Sequence, residues 1–159
     1  MQFRILAVGK VKSGFLQEGM EHYLQRLKPY ARVEILEVAE GRTSHKQRKQ
    51  AMENLLADEA EKLLRHSAPG HFNLVLHEKG KSLSSPQFAS YLSGLARDGC
   101  MPVNIFIGGA KGLHETIFES SHLVLSLSRL TFPHQLTRLL LLEQLYRCCK
   151  IIKNEPYHH

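Results

Sequence analysis

A chain of 159 residues that is 43% hydrophobic and 23% charged, with a formal net charge of +6, is the size of one globular domain and needs no disulfides to bury a core. Its longest apolar run, Leu139 to Leu142, is far too short to span a bilayer. Three cysteines without a C-x-x-C spacing, Cys100, Cys148 and Cys149, give neither a disulfide framework nor a zinc site, and the positive charge favours a polyanionic partner through phosphate neutralisation and counterion release.

The opening MQFRILAVGKVK is a strand pattern followed by lysines. A secretory signal has its charge first and a small-residue cleavage site last, so a cytoplasmic protein is expected. The first strand, Phe3 to Val8, leads into Gly9-Lys10-Val11-Lys12-Ser13-Gly14-Phe15. These glycines have the spacing of a phosphate loop, but Phe15 stands where its lysine belongs, which excludes a nucleotide triphosphatase. The G-x-G-x-x-G of a dinucleotide site is missing as well. Phe15, Met20, Tyr23, Leu24 and Leu27 then recur at near-helical spacing.

A second strand, Val33 to Val38, precedes a basic cluster from Gly41 to Lys49 with Arg42, His45, Lys46 and Arg48. It reads either as a solvated helix start or as a patch facing RNA. A helix over Ser44 to His66 carries Met52, Leu55, Leu56, Leu63 and Leu64 among charges, and a third strand follows at Phe72 to Leu76. Ser84-Ser85-Pro86 has the form of an N-cap with proline in the first helical turn, leading into Phe88, Tyr91, Leu92 and Leu95. Strands at Val103 to Ile107 and Leu123 to Leu127 complete five strand-then-helix units. That alternation predicts an α/β fold: a mainly parallel sheet of five or six strands with helices on both faces. Without linker, repeat or low-complexity segment, residues 1–159 form a single domain.

In such a fold ligands bind beyond the carboxyl ends of the strands. H-E-x-x-H, G-x-S-x-G and C-x-x-C are absent from the whole chain, which removes the commonest hydrolase and metal signatures. After the fourth strand the chain reads Gly108-Gly109-Ala110-Lys111-Gly112-Leu113. Such a loop is a glycine turn or a ligand cradle, because glycine permits positive φ and close approach to the main chain. After the fifth strand, Ser128 to Phe132 is closed by Pro133, which fixes its own φ and keeps Phe132 out of helical geometry. The result is a preorganised loop offering backbone polar groups beside Leu127, Leu130 and Phe132, suited to a planar heterocycle.

The helix beyond His134 presents Leu139, Leu141, Leu142, Leu145, Tyr146 and Cys149 on one broad face, with Arg138 in its middle. A guanidinium there must be paired or reach a polar site. Leu136 and Leu140 interrupt the polar side, so the helix is apolar over more surface than one sheet requires. It packs against a second copy of the chain, or is wholly buried in a monomer.

Together Gly108-Gly-Ala-Lys-Gly-Leu113, Leu127-Ser-Arg-Leu-Thr-Phe-Pro-His134-Gln-Leu-Thr-Arg138, Glu143-Gln-Leu-Tyr-Arg147 and Asn154-Glu-Pro-Tyr-His158 resemble the ribosomal RNA large subunit methyltransferase H family. That family belongs to the SPOUT class, and the likeness runs from the first strand to the last residues. It implies a C-terminal trefoil knot, which periodicity alone would never suggest. It further implies a homodimer, S-adenosylmethionine as methyl donor, and methylation at N3 of a pseudouridine in large-subunit ribosomal RNA. Carried onto this sequence, the donor pocket uses Leu76, Gly108, Gly109 and Gly112, the loop Leu127, Ser128, Arg129, Leu130, Thr131 and Phe132, and His134. No metal is implied.

Methyl transfer from a sulfonium needs positioning above all. The sequence points to no plain general base. Arg138 is expected at the reacting centre, stabilising charge on the ring or binding phosphate, unless it serves as the structural partner of a carboxylate. Tyr157 and His158 belong to a tail that reaches over the site, Tyr157 stacking on a base, unless the terminus is simply unordered. The chain ends in His159 where family members carry a basic residue, and a histidine with a reference pKa of ~6.5 is mostly neutral at pH 7. With no appended RNA-binding module, an assembled ribosome is expected as substrate in preference to free RNA. Two rivals remain: a basic binding protein of the ribosome without chemistry, and a SPOUT enzyme acting on transfer RNA.

Overall fold

The computed structural model describes residues 1–41, 49–67 and 70–157. Its strands are β1 (Gln2–Val8), β2 (Arg32–Val38), β3 (Phe72–Ser82), β4 (Val103–Ile107) and β5 (Leu123–Ser126). They pair in parallel in the order β2-β1-β4-β3-β5, a five-stranded sheet among the described residues. The helices are α1 (Gly14–Leu27), α2 (Lys49–His66), α3 (Ser85–Arg97), α4 (Glu115–Glu119) and α5 (His134–Ile152).

Alternation along the central strands divides the core between two faces. Phe3, Ile5, Ala7, Leu74, Val103 and Ile105 meet α1, α3 and α5, while Leu6, Val8, Val75 and Phe106 meet α2 and α4. A sheet covered on both faces requires strands that are apolar on both sides. All five residues of β4 are buried, and full burial of each such aliphatic or aromatic side chain contributes about 1.5–3 kcal/mol. The α/β architecture with helices on both faces is therefore as expected, and the strand order is consistent with the knot of the SPOUT class.

Local signals explain several boundaries. Ser84 Oγ accepts from the Gln87 N–H at 3.3 Å while Gln87 Oε1 accepts from the Ser84 N–H at 2.8 Å, a complete capping box that starts α3 with Pro86 in its first turn. Cys148 and Cys149 lie inside the core, where burial pushes their thiols up to about 12 and about 11. All three cysteines are free.

Two expectations change and a third is not reached. The third strand runs to Ser82, because Lys81 and Ser82 pair again with β5 after a break in register. The intervening His77-Glu78-Lys79-Gly80 is too polar to read as strand. Phe15 points to solvent, 70% exposed, at the start of α1, whose buried side is Leu16, Met20 and Leu27. The second helix is described from Lys49; its expected start at Ser44 and most of the basic cluster lie outside the described residues.

α5 packs between α1 and α3. Among the described residues no helix is long and apolar enough to cross a membrane, and no cluster of His, Cys, Asp or Glu could hold a metal.

Candidate active site

Neighbouring strands β1 and β4 send their following connections in opposite directions, β1 toward β2 and β4 past β3 toward β5. Such a switch point opens a crevice at the carboxyl ends of the strands. A cavity of about 390 Å³ lies on this edge, walled by the exits of β3, β4 and β5 and by the first turn of α5.

The β4 exit supplies its floor. The Gly112 N–H donates to the Gly109 carbonyl at 3.1 Å, and Gly112 has φ of +87°, a conformation that favours glycine. A Cβ on Gly108 would stand 2.8 Å from the Gly112 carbonyl oxygen. The loop folds back on itself so tightly that only bare backbone fits. It is also tied sideways: the Ala110 N–H donates to Glu40 Oε1 at 3.4 Å and Lys111 Nζ donates to the Gly41 carbonyl at 3.2 Å.

The β5 exit supplies the opposite wall. Ser126 Oγ donates to the Ser128 carbonyl at 2.7 Å, and the Leu130 N–H donates to Ser128 Oγ at 2.9 Å. These short-range bonds hold the loop between strand and Pro133 without help from the rest of the fold. Pro133 starts α5, with the Thr137 N–H and hydroxyl both donating to its carbonyl. Leu130, 72% exposed, and Phe132, 37% exposed, stand at the mouth. Apolar side chains left in water at the mouth of a cavity lined by both polar and apolar groups suit a ligand that stacks.

Of the residues expected to hold the donor, Leu76, Gly108, Gly109, Gly112, Leu127, Ser128, Leu130, Thr131, Phe132 and His134 line this cavity together. Arg129 belongs to the same loop but projects into solvent. Ala110 and Leu113 of the expected glycine loop line the cavity too, while the sequence reading missed His77 and Glu78, the continuation of the wall beyond Leu76, as well as Ser126 and Thr137. Extending the strand-exit search past Leu76 would have found His77 and Glu78.

His134 is half-buried in the α5 wall. Burial holds its imidazole below the ordinary histidine range, the positive charge of Arg138 adds to this, and Glu40 opposes it. Burial and Arg138 thus both favour the uncharged imidazole.

Arg138 does not line the cavity. The guanidinium is 0% exposed, its Nη1 on Glu37 Oε1 at 2.6 Å and its Nη2 on the carbonyls of Val8 and Gly9 at 2.6 and 2.9 Å. Burial pulls its pKa down and Glu37 holds it up, and an arginine so paired stays charged. The structure thus matches the alternative of a carboxylate partner, and the side chain stands behind the site, joining α5 to the ends of β1 and β2.

Tyr157 also lies away from its own chain's cavity. Its hydroxyl donates to Glu143 Oε1 at 2.8 Å, its ring sits against Tyr146, and the Arg147 guanidinium lies 4.1 Å above it. Burial, then the bond to Glu143, pushes its phenol up. His158 lies outside the described residues.

A family model described as "Predicted SPOUT methyltransferase" matches residues 1–158. Proteins called "Ribosomal RNA large subunit methyltransferase H" are similar over their whole length: that of Desulforamulus reducens is 46% identical and that of Carboxydothermus hydrogenoformans 42% identical, each over 99% of both chains. The protein of the same name from Moorella thermoacetica is 45% identical over 99% of both. Among solved structures, a probable methylase family protein from Haemophilus influenzae superposes with a TM-score of 0.54 at 11% identity, covering 99% of this chain and 70% of that one. A probable methyltransferase from Bordetella pertussis gives 0.50 at 14% identity over 93% of this chain and 94% of its own. At such identities the two structures speak for the fold alone.

Proposed function

Because this chain belongs to the SPOUT methyltransferase family, with full-length relatives in the ribosomal RNA large subunit methyltransferase H group, we propose that it methylates N3 of a pseudouridine in large-subunit ribosomal RNA of the assembled ribosome. S-adenosylmethionine is the donor and the cytoplasm the setting. The observation that carries this reading is the cavity itself: a glycine cradle at Gly108, Gly109 and Gly112 facing a prefolded loop with apolar side chains at its mouth.

When bound, the donor supplies an electrophilic methyl on a sulfonium, so the chain has to orient and desolvate more than to activate. Leu76, Ile107, Leu127 and Phe132 would enclose the heterocycle, with backbone N–H and C=O groups of the two loops supplying hydrogen bonds without net charge. Ser126 and Ser128 hold one loop in place and Glu40 the other. Arg138 acts as a positioning residue, since it anchors the helix that carries His134 and Thr137.

The working form is a homodimer. Phe15 and Leu130 are exposed, and Leu140, half-buried on α5, belongs to neither core cluster. Tyr157 is held on its own α5, away from its own cavity, so its expected place over the target base requires the cavity of the second copy. Sedimentation at micromolar concentration is expected to give twice the mass of one chain; a monomer would remove this assembly.

The activity is tested by transfer of labelled methyl from S-adenosylmethionine to ribosomes from cells lacking this protein, beside stripped ribosomal RNA and bulk transfer RNA. Label is expected on intact particles, at N3 of a pseudouridine. Label on transfer RNA alone would overturn the target, and no label with no donor binding would leave a binding protein.

A further inference from the structure

We infer that His134 is the general base that takes the imide proton of the target base during methyl transfer. This rests on the reading of the cavity as a methyl-transfer site and goes beyond it, because an imide nitrogen must shed its proton to become a nucleophile.

The geometry singles out this residue by what it does and by what its neighbours cannot do. His134 is the first residue of α5 and lines the cavity beside Thr137 and across from the glycine loop. Among the described residues neither of its ring nitrogens has a hydrogen-bond partner, so one is free to accept a proton. His77, also on the wall, has its Nδ1 engaged by the Lys79 N–H at 3.2 Å and its ring edge-on to Phe118. Glu78 on the same wall turns its side chain to solvent. Arg138 is spent on Glu37 and two carbonyls, and Tyr157 donates its proton to Glu143 at the far half of the helix.

The surroundings keep the imidazole unprotonated before the step and support it afterwards. Burial disfavours the cation most, and Arg138 from its own helix adds to this; a helix N-terminus likewise disfavours a positive charge. Glu40, just beyond the end of β2, faces it and favours the cation, and the titratable side chains of His77 and Glu78 stand on the same cavity wall. In the step the N3–H bond breaks and its proton passes to the free imidazole nitrogen. The electron pair left on N3 forms the new N–C bond, and the C–S bond breaks with its pair going to sulfur, leaving a neutral thioether. The imidazolium then returns its proton to water.

The test is a pH profile of wild type and His134→Gln on intact ribosomes, with donor affinity measured by calorimetry and His134 titrated by its ring-proton NMR resonance. The resonance is expected to titrate below the ~6.5 of a free histidine, and wild-type turnover to rise with pH through that same value and then level. Because His134 also lines the donor pocket, turnover is compared at donor concentrations that the calorimetry shows to be saturating for each protein; there His134→Gln should lose about 10²–10⁴-fold at pH 7 and regain rate at alkaline pH, where the imide ionises without help. Should His134→Gln not fold, His134→Ala with added imidazole replaces it, and dose-dependent recovery is the expected result. Wild-type turnover in the variant, a loss equal at every pH, or titration above the ordinary value would overturn the assignment. A wild type that methylates none of the RNAs would remove the parent reading and this one together.

Discussion

Arg138→Ala is expected to lower folding stability by about 3 kcal/mol, the low end of the range for breaking a buried ion pair, measured as a shift in the urea midpoint at unchanged slope. The guanidinium satisfies three acceptors at once: Glu37 Oε1 and the carbonyls of Val8 and Gly9. Alanine leaves the Val8 and Gly9 carbonyls without a partner and opens a cavity in a core where Leu141, Leu142 and Leu145 are 0% exposed. The low end applies because the Glu37 side chain is 27% exposed and regains water when its partner goes. For that reason Glu37→Gln should cost less than Arg138→Ala.

Activity should fall further than stability in the same variant. α5 begins at His134, one turn before Arg138, and the Val8 and Gly9 carbonyls belong to the end of β1. The pair therefore sets where the α5 wall stands against the glycine loop, and small misplacements of positioned groups cost rate steeply. Donor affinity separates the two effects: a variant that is fully folded at the assay temperature should still bind the donor less well. Equal stability of Arg138→Ala and wild type within about 0.5 kcal/mol, the size of an ordinary surface substitution, would show that the buried pair does not hold the helix.

The sequence made some of this visible and hid the rest for identifiable reasons. Strands covered on both faces are nearly continuous apolar runs, which made β1 and β4 legible, while the edge strand β2 showed as Val33, Ile35, Leu36 and Val38 interrupted by Glu34 and Glu37 and β5 as the short run Leu123 to Leu125. The end of β3 could not be placed, because His77 to Gly80 is polar and leaves the ladder before Lys81 rejoins it. Gly80 is required there, since a Cβ would stand 2.6 Å from the Leu125 carbonyl carbon, but one glycine among charges reads as a turn. Arg138 announced itself as a cation on an apolar stripe. Its partners did not, because Glu37 is 101 residues away in the chain and Val8 is 130. Local pattern carries no information on pairings of that separation.

The cavity was more legible than the core contacts. Ligand sites on parallel sheets follow from topology, and each strand exit can be inspected for glycine, proline and serine. Gly108 to Gly112 and Ser128 to Pro133 were found in that way. Tyr157 was harder: its ring is occupied within its own chain by Tyr146, Arg147 and Glu143, and a tail motif says nothing about which surface it lies on.

Gly108→Ala should reduce donor affinity about 30- to 100-fold while leaving the sheet intact. The new Cβ would meet the Gly112 carbonyl oxygen at 2.8 Å, its carbon at 2.9 Å and Leu113 Cγ at 3.0 Å. Two of these are backbone atoms, in a loop whose Gly112 sits at φ of +87° and cannot swing aside without losing its bond to Gly109. Overpacking of this kind costs about 1–3 kcal/mol. If the loop yields by opening, the strain appears in binding instead of folding, and about 2–3 kcal/mol corresponds to the stated loss at 1.4 kcal/mol per tenfold. Gly14→Ala is the matched control, because nothing lies within 4 Å of its Cβ position at the start of α1. Calorimetric titration with S-adenosylmethionine on wild type and both variants decides the matter. Unchanged affinity in Gly108→Ala would mean that the donor does not use the glycine cradle, and the apolar mouth at Leu130 and Phe132 would then have to hold it alone.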